Sequence, residues 1–396
     1  MKLLSERWHI SPDLSDNGGR TPLLLAPSKG HQGVMELLLE RVEVHPNLLG
    51  NDGQTLLLFA AWVGYSRLVE LLLKRGDVNP DLPNGSCRTP LSLAASRGHA
   101  SIVKLLLECK NVDPDSSDRN GRTPLLYAAT FGAWGVVKLL LEHADINPNL
   151  QGNNERTPPS FAAEWGAQSV VKLLLERGDI SPDLPDGNGR TPLSLAASSG
   201  HEGVVKLLLK HRDVDLNSSD RNGRTPLLYA TISRAVDVVQ VLLQHADVNP
   251  NLSGNDGRTP LFSAAWRRYA DVVRLLLERE DINPDLPDRN GRTLLSFAAE
   301  WGREDLVKQL LERGDVDPNS PDSNGQKPLS YAIMKERAGV VRLLSDYRTP
   351  NHESWENCDR MPISLTKEDA SDKVARPWKW TLLLLIFLFF ALMIDH

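Results

Sequence analysis

The chain has few cysteines and no excess of basic residues, so it lacks the compositions typical of disulfide-stabilised and nucleic-acid-binding proteins. Only three of its 396 residues are cysteines (Cys87, Cys109 and Cys358), too few for a disulfide framework, and this favours a reducing compartment. Acidic residues outnumber basic residues by 51 to 45, so no polyanionic partner such as nucleic acid is predicted. Aromatic residues make up 6% of the chain, and their positions are therefore informative.

Sequence motifs for catalysis and for phosphate or metal binding are also missing. The chain contains no glycine-rich phosphate loop, no His-Glu-x-x-His, no Cys-x-x-Cys pair and no nucleophile elbow. We therefore predict that it is not an enzyme and takes no cofactor, metal ion or small-molecule substrate.

A short phrase, Gly-Arg-Thr-Pro-Leu or a near variant, recurs along the chain every 34 residues. Its threonines are Thr21, Thr55, Thr89, Thr123, Thr157, Thr191, Thr225, Thr259 and Thr293, and Lys327 takes the tenth position. A period held over nine successive intervals indicates tandem copies of one small unit, numbered here one to ten by these positions. Stacked repeats form extended surfaces rather than enclosed reaction chambers.

Copy six, residues 186–219, shows the pattern of the unit most clearly. Thr191 is predicted to cap a first helix, with Pro192 at the first helical position. Gly200 is predicted to end that helix in a left-handed conformation, and the apolar residues 204–209 form a second helix. One such unit cannot bury both helix faces alone, so it must pack against the copies on either side.

A helix–turn–helix unit that opens with Thr-Pro-Leu and contains Ala-Ala resembles the ankyrin repeat. The resemblance covers roughly residues 1–366 and implies an all-α repeat solenoid with β-hairpin-like loops. It also implies a concave groove, lined by loop tips and first helices, which receives protein partners.

Several copies depart from the family pattern. The histidine that usually follows Thr-Pro-Leu is replaced throughout by serine, leucine or phenylalanine. Arg234, Arg268 and Glu336 stand where a glycine usually ends the first helix, and a side chain at positive φ costs about 1 kcal/mol. Pro27 lies inside the first helix of copy one, so copies one, seven, eight and ten are expected to be distorted.

Histidines and turn aspartates recur with the same period, which favours structural roles. His31, His99 and His201 follow the glycine between the two helices, and His143, His211 and His245 end the second helix. Neighbouring copies are about 10 Å apart, too far for these side chains to share a metal ion at about 2 Å. Turn aspartates such as Asp186 are expected to accept hydrogen bonds within the turn.

The resemblance assigns the groove positions to the residue before each repeat threonine and to the seventh and eighth residues after it; we call these the groove slots. The first slot holds Arg20, Arg88, Arg122, Arg156, Arg190, Arg224, Arg258 and Arg292. The others hold Trp62, Phe131, Trp165, Trp266 and Trp301. For the arginines we favour ion pairs with turn aspartates, although Arg122, Arg156, Arg258 and Arg292 are also predicted partner contacts. The aromatic rings are predicted either to bind a partner or to pack between copies.

The two ends of the array differ from its middle. Residues 1–15 align with the end of a second helix and form a partial repeat, ten repeats occupy 16–355, and a decayed eleventh occupies 356–366. A flexible linker is expected over 367–377. An uncharged stretch follows, and residues 378–394 are predicted to form a transmembrane tail anchor. A peptide that binds in an amphipathic groove and a buried terminal helix are the alternatives.

The predicted anchor has features of a short membrane span. Its residues include Trp378, Trp380, Leu382, Leu385, Phe387, Phe390 and Ile394. The basic residues Arg376 and Lys379 come before the apolar stretch and none follows it, which places the array in the cytosol. We therefore expect a membrane-tethered adaptor that binds a protein partner, with the endoplasmic reticulum slightly favoured. A soluble cytoplasmic adaptor, or the ankyrin part of a larger regulatory protein, is the alternative.

Overall fold

The computed structural model describes residues 46–47 and 53–347 of the chain. These residues contain two α-helices in each of copies two to ten. The first helices are α1 (Leu56–Val63), α3 (Pro90–Arg97), α5 (Pro124–Thr130), α7 (Pro158–Glu164), α9 (Pro192–Ser199), α11 (Pro226–Ile232), α13 (Pro260–Trp266), α15 (Leu294–Trp301) and α17 (Pro328–Met334). The second helices are α2 (Ser66–Lys74), α4 (Ala100–Leu107), α6 (Trp134–Glu142), α8 (Gln168–Leu175), α10 (Glu202–Leu208), α12 (Val236–Leu243), α14 (Ala270–Leu277), α16 (Glu304–Arg313) and α18 (Ala338–Asp346).

The repeat threonines begin the first helices, as predicted. From Thr55 to Thr293, each has an extended backbone and accepts a hydrogen bond on its hydroxyl from the N–H three residues later. In copy six the N–H of Ser194 lies 3.3 Å from Oγ1 of Thr191. Lys327 takes the same position in copy ten without a side-chain bond, so that helix lacks a contribution of about 1 kcal/mol.

Left-handed residues follow most of the first helices, and not all of them are glycines. Gly200 has a φ of 77° at the end of α9, as predicted. The replacements Arg234, Arg268 and Glu336 have φ values of 56°, 63° and 56°, so the expected strain is present in copies seven, eight and ten. Three further residues at positive φ were not predicted from the sequence: Cys87 and Glu155 (φ 61° and 57°) replace the glycine of the turn before the helix, and Asn154 (φ 61°) precedes Glu155.

The core is continuous from copy to copy. First helices pack on first helices and second helices on second helices, with contacts between the two layers inside each copy. In copy six the small side chains of Ala196 and Ala197 and the larger Leu193, Val205 and Leu208 are fully buried. They belong to one cluster that extends through copies two to ten. Since burial of each leucine stabilises by about 1.5–3 kcal/mol, the copies depend on one another.

Backbone hydrogen bonds join the turns of neighbouring copies. The N–H of Asn153 donates to the carbonyl of Asn120 at 3.0 Å, and that of Arg221 donates to Asn188 at the same distance. These are isolated bonds, and residues 53–347 contain no β-strand. The expected β-hairpin-like loops therefore take the form of tight turns without a strand ladder.

Two of the recurring histidines, His99 and His201, cap the first helix of the preceding copy. Nε2 of His201 lies 2.9 Å from the carbonyl oxygen of Glu164, and Nε2 of His99 lies 3.3 Å from that of Trp62. Arg303 of copy nine and Arg337 of copy ten contact the equivalent helix ends of copies eight and nine. These contacts agree with the predicted structural role. Within the part of the chain that is described, no three His, Cys, Asp or Glu side chains are placed to hold a metal ion.

Several predictions concern residues outside the described ranges. They are the partial repeat at 1–15, copy one with Pro27, the decayed repeat, the linker and the anchor at 378–394. None of the helices between residues 53 and 347 has the length and apolar character needed to cross a bilayer.

Candidate binding surface

Five aromatic side chains in the groove slots are exposed. They lie at the C-terminal ends of the first helices, and their exposed fractions are 40% for Trp62, 63% for Phe131, 64% for Trp165, 41% for Trp266 and 45% for Trp301. The aromatic residue four positions earlier is buried in three copies, at Tyr127, Phe161 and Phe262. In these copies the earlier residue of the i, i+4 pair places its ring in the core, and the later residue exposes its ring to solvent.

Aromatic rings of copies eight and nine form a cluster of Phe262, Trp266, Phe297 and Trp301. The ring centroids of Trp266 and Trp301 are 5.2 Å apart, and those of Trp266 and Phe297 are 5.6 Å apart. Phe262 and Phe297 make an edge-to-face contact at 4.5 Å. The two tryptophans therefore pack laterally between copies and still expose nearly half of their surface, so the two predicted roles are compatible.

Beyond Trp62 in copy two, the exposed aromatic side chains occupy two separate stretches of the array. Phe131 and Trp165 lie in copies four and five, and the cluster lies in copies eight and nine. Between them the same slots hold Ser198, Ser199 and Ser233, together with Ile232. Copy ten adds two exposed apolar side chains that the sequence reading missed, Ile333 and Met334. Met334 takes the same slot as Trp266, which could have revealed it, whereas Ile333 lies one residue before the slots.

The arginines of the first slot mostly do not pair with turn aspartates, so our favoured interpretation was largely wrong. Arg190 does pair with Asp186 at 2.7 Å, and Arg258 lies 3.8 Å from Asp256. Arg156 instead contacts Glu164 at 2.8 Å, eight residues along the chain. Arg292 contacts Glu300 in the same way, and Arg88 donates to Ser96 at 2.8 Å.

In copies four and seven the turn aspartate is already fully engaged, and in copies three and five Asn84 and Gly152 stand in its place. Oδ1 of Asp118 accepts the N–H groups of Asn120 and Arg122 at 2.8 and 2.9 Å, and Oδ2 accepts the hydroxyl of Tyr127 at 2.6 Å. Asp220 and Tyr229 repeat this bond at 2.6 Å. Burial and the bond to Asp220 raise the pKa of Tyr229 to about 12. The predicted turn-capping role of the aspartates is therefore confirmed.

Aromatic rings receive the guanidinium groups that the aspartates leave free. Arg88 lies 4.4 Å from the Tyr127 centroid, Arg122 lies 5.9 and 5.7 Å from Tyr127 and Phe161, and Arg156 lies 4.8 Å from Phe161. This alternation of cations and rings joins copies three to five.

A second stack occupies copies eight to ten. Arg258 lies 4.5 Å from the Trp266 centroid, and Arg292 lies between Phe297 at 3.8 Å and Tyr331 at 4.3 Å. Only 16% of the Arg292 side chain is exposed, against 33% for Arg258. The arginines thus bind neighbouring copies together, and a direct contact of Arg122, Arg156, Arg258 or Arg292 with a partner stays a prediction.

Comparison with known proteins agrees with this architecture. A family model described as ankyrin repeats (3 copies) matches residues 1–83, 77–151, 135–220, 212–288 and 280–354. Among solved structures, the chain is similar to the ankyrin repeat domain of Bcl-3, which is described as a unique member of the IkappaB protein family. The two share 28% identity with a TM-score of 0.50 over 57% of this chain and 99% of that chain. None of the curated proteins matches the chain.

We predict that Arg292→Gln lowers the free energy of unfolding by about 1–2 kcal/mol, because it removes two ring contacts and the ion pair with Glu300. Arg224→Gln is the matched control, since Arg224 takes the same slot in copy seven with an exposed side chain. Its effect should stay within about 0.5 kcal/mol. Denaturant unfolding of both variants measures the difference, and equal effects would show that the stack contributes nothing.

Proposed function

Because the chain belongs to the ankyrin repeat family, we propose that it is a non-enzymatic scaffold or adaptor that binds a protein partner through its groove slots. The observation that carries this proposal is the exposure of tryptophan and phenylalanine in these slots, where other copies have serine. Large aromatic side chains are over-represented among residues that dominate binding energy at protein interfaces. Monomeric proteins rarely leave contiguous apolar surface open without a function.

Trp266 and Trp301 are the leading contacts in this proposal. Their rings are held by each other and by Phe297, at 5.2 and 5.6 Å, so little side-chain freedom is left to lose on binding. Arg267 and Lys335 are exposed in neighbouring slots, which supplies the polar rim that surrounds apolar anchors in many interfaces.

Trp165 and Phe131 form a second contact area. They are the most exposed of the five rings, and no ring pair within residues 53–347 includes either of them. Trp165 and Trp266 lie in copies five and eight, three repeat spacings apart, which corresponds to roughly 30 Å at about 10 Å per copy. A partner that contacts both areas must therefore be a folded domain or an extended segment of ten or so residues.

The groove is tested by changing Trp165, Trp266 and Trp301 to Ala in the full chain. Truncation of one hot-spot residue costs at least about 2 kcal/mol, or roughly 30-fold in affinity, so capture of specific partners from intact cells should be lost. Trp134→Ala is the matched control, because Trp134 is 47% exposed but lies on second helix α6, outside the groove slots. If the triple variant keeps its fold and still captures the same partners, the groove slots are not the binding surface.

We also propose that residues 378–394 tether the array to a membrane. No charge interrupts 380–394, and no polar face is present from Leu382 to Met393, which argues against a helix lying on the membrane surface. Seventeen helical residues span about 25 Å, close to the roughly 27 Å of the endoplasmic reticulum bilayer. Such a tether would raise the local concentration of the groove near membrane-bound partners.

Membrane association gives a direct test. The full chain should resist extraction by alkaline carbonate, whereas deletion of residues 378–396 should release it. The variant Leu385→Arg and Phe390→Arg keeps the length and should also be released, because each charge costs about 2.5–3.5 kcal/mol at the centre of a bilayer. Full solubility of the unmodified chain would instead support a soluble cytoplasmic adaptor.

A further inference from the structure

One side chain per copy joins each connecting segment to the next copy. The position holds Asn47, Asp81, Asp115, Asn149, Asp183, Asn217, Asn251 and Asp285, and we call this set the Asn/Asp ladder. In every member one side-chain oxygen accepts the backbone N–H of the residue 32 positions later. For example, Asn149 accepts from Ser181 at 2.9 Å, and Asp183 accepts from Asp215 at 3.1 Å. This half of each contact is the same for asparagine and aspartate.

The other half of the contact separates the two residue types. Each asparagine of the ladder donates its amide to a backbone carbonyl 30 positions later, as Asn149 does to Asp179 at 2.6 Å and Asn217 does to Asp247 at 2.7 Å. Asn47 and Asn251 donate in the same way at 2.8 and 2.7 Å. Each asparagine of the ladder therefore links the connecting segments of two successive copies with two hydrogen bonds.

Aspartate cannot make the second bond while it is ionised. Oδ1 is buried without a hydrogen-bond partner in each of the four aspartates, Asp81, Asp115, Asp183 and Asp285. The 30-residue register of the asparagine copies places the carbonyl of Asn111 opposite Asp81 and that of Asp213 opposite Asp183. An acceptor then faces an acceptor, and a buried acceptor without a partner is unfavourable.

We propose that these four aspartates form proton-dependent latches between copies. In mildly acidic solution each carboxylate takes a proton from solvent on its free Oδ1, and the new O–H donates to the carbonyl opposite. The protonated aspartate then makes the same two bonds as an asparagine of the ladder. No other bond is made or broken, so the contact between copies tightens as the pH falls.

The charges around the latches favour protonation. Burial, with the Asp215 carboxylate as the charged neighbour, raises the pKa of Asp183 to about 6, and Asp113 acts in the same way on Asp81, also to about 6. The N–H bonds from these neighbours oppose the shift only in part.

The other two latches, Asp115 and Asp285, differ in the charges of their neighbours. Burial raises the pKa of Asp115, where Asp113 adds to the effect and His143 opposes it. Burial also raises the pKa of Asp285, with Asp317 and Asp315 as acidic neighbours. Since a raised carboxyl pKa means that the folded state binds the proton more tightly, this contribution to stability is complete below about pH 4 and is lost as the pH rises through about 6.

The test replaces Asp81 and Asp183 with Asn in the full chain and follows unfolding from pH 4.5 to 7.5. The double variant should exceed the unmodified chain in stability least at pH 4.5 and most at pH 7.5, and should therefore lose less stability between these pH values. The reciprocal variant Asn217→Asp should be destabilised at pH 7.5 far more than at pH 4.5. A destabilisation by Asn217→Asp that is equal at both pH values would overturn the proposal.

Carbon NMR of aspartate labelled at the carboxyl group gives a direct readout of each latch. Two signals should titrate near pH 6, which corresponds to proton binding about 150-fold tighter than at an aspartate with a pKa of 3.8. Asp81→Asn and Asp183→Asn should each remove one of them. Midpoints below pH 5 for every aspartate would also overturn the proposal.

Discussion

The contact between neighbouring copies is the interaction on which the rest of the structure depends. No copy buries its own helices: Leu193 and Ala196 are fully buried only because copies five and seven cover them. Polar links reinforce the apolar contact in several places, through turn bonds, histidine caps, arginine–ring stacks and the Asn/Asp ladder. Since each link joins successive copies, stability is a sum of nearest-neighbour terms.

This arrangement also explains where function can lie. The repeat threonine, the alanine pair and the apolar residues of the second helix are required for packing, so their freedom to vary is small. The ends of the first helices carry no such requirement, and there the copies differ from tryptophan to serine. Trp266 and Trp301 show that one side chain can serve both purposes, since each packs on a neighbouring ring and remains 41–45% exposed.

Sequence reasoning succeeded where the cause is local and failed where it lies in the next copy. The cap at Thr191, the left-handed Gly200 and the strain at Arg234 follow from a few adjacent residues, and all three were predicted. The arginine stacks were not, because the ring beside Arg88 belongs to copy four and because two backbone N–H groups and the Tyr127 hydroxyl saturate Asp118. The alternation of Asn and Asp in the ladder is visible in the sequence, but its meaning requires the register between copies.

Dependence on neighbours is tested most directly by comparing fragments of one and three copies. Residues 186–219 contain copy six alone, and residues 152–253 contain it between copies five and seven. The account predicts that the single copy is unfolded in water, whereas the three-copy fragment is helical and unfolds cooperatively. A single copy that folds cooperatively as a monomer would contradict it.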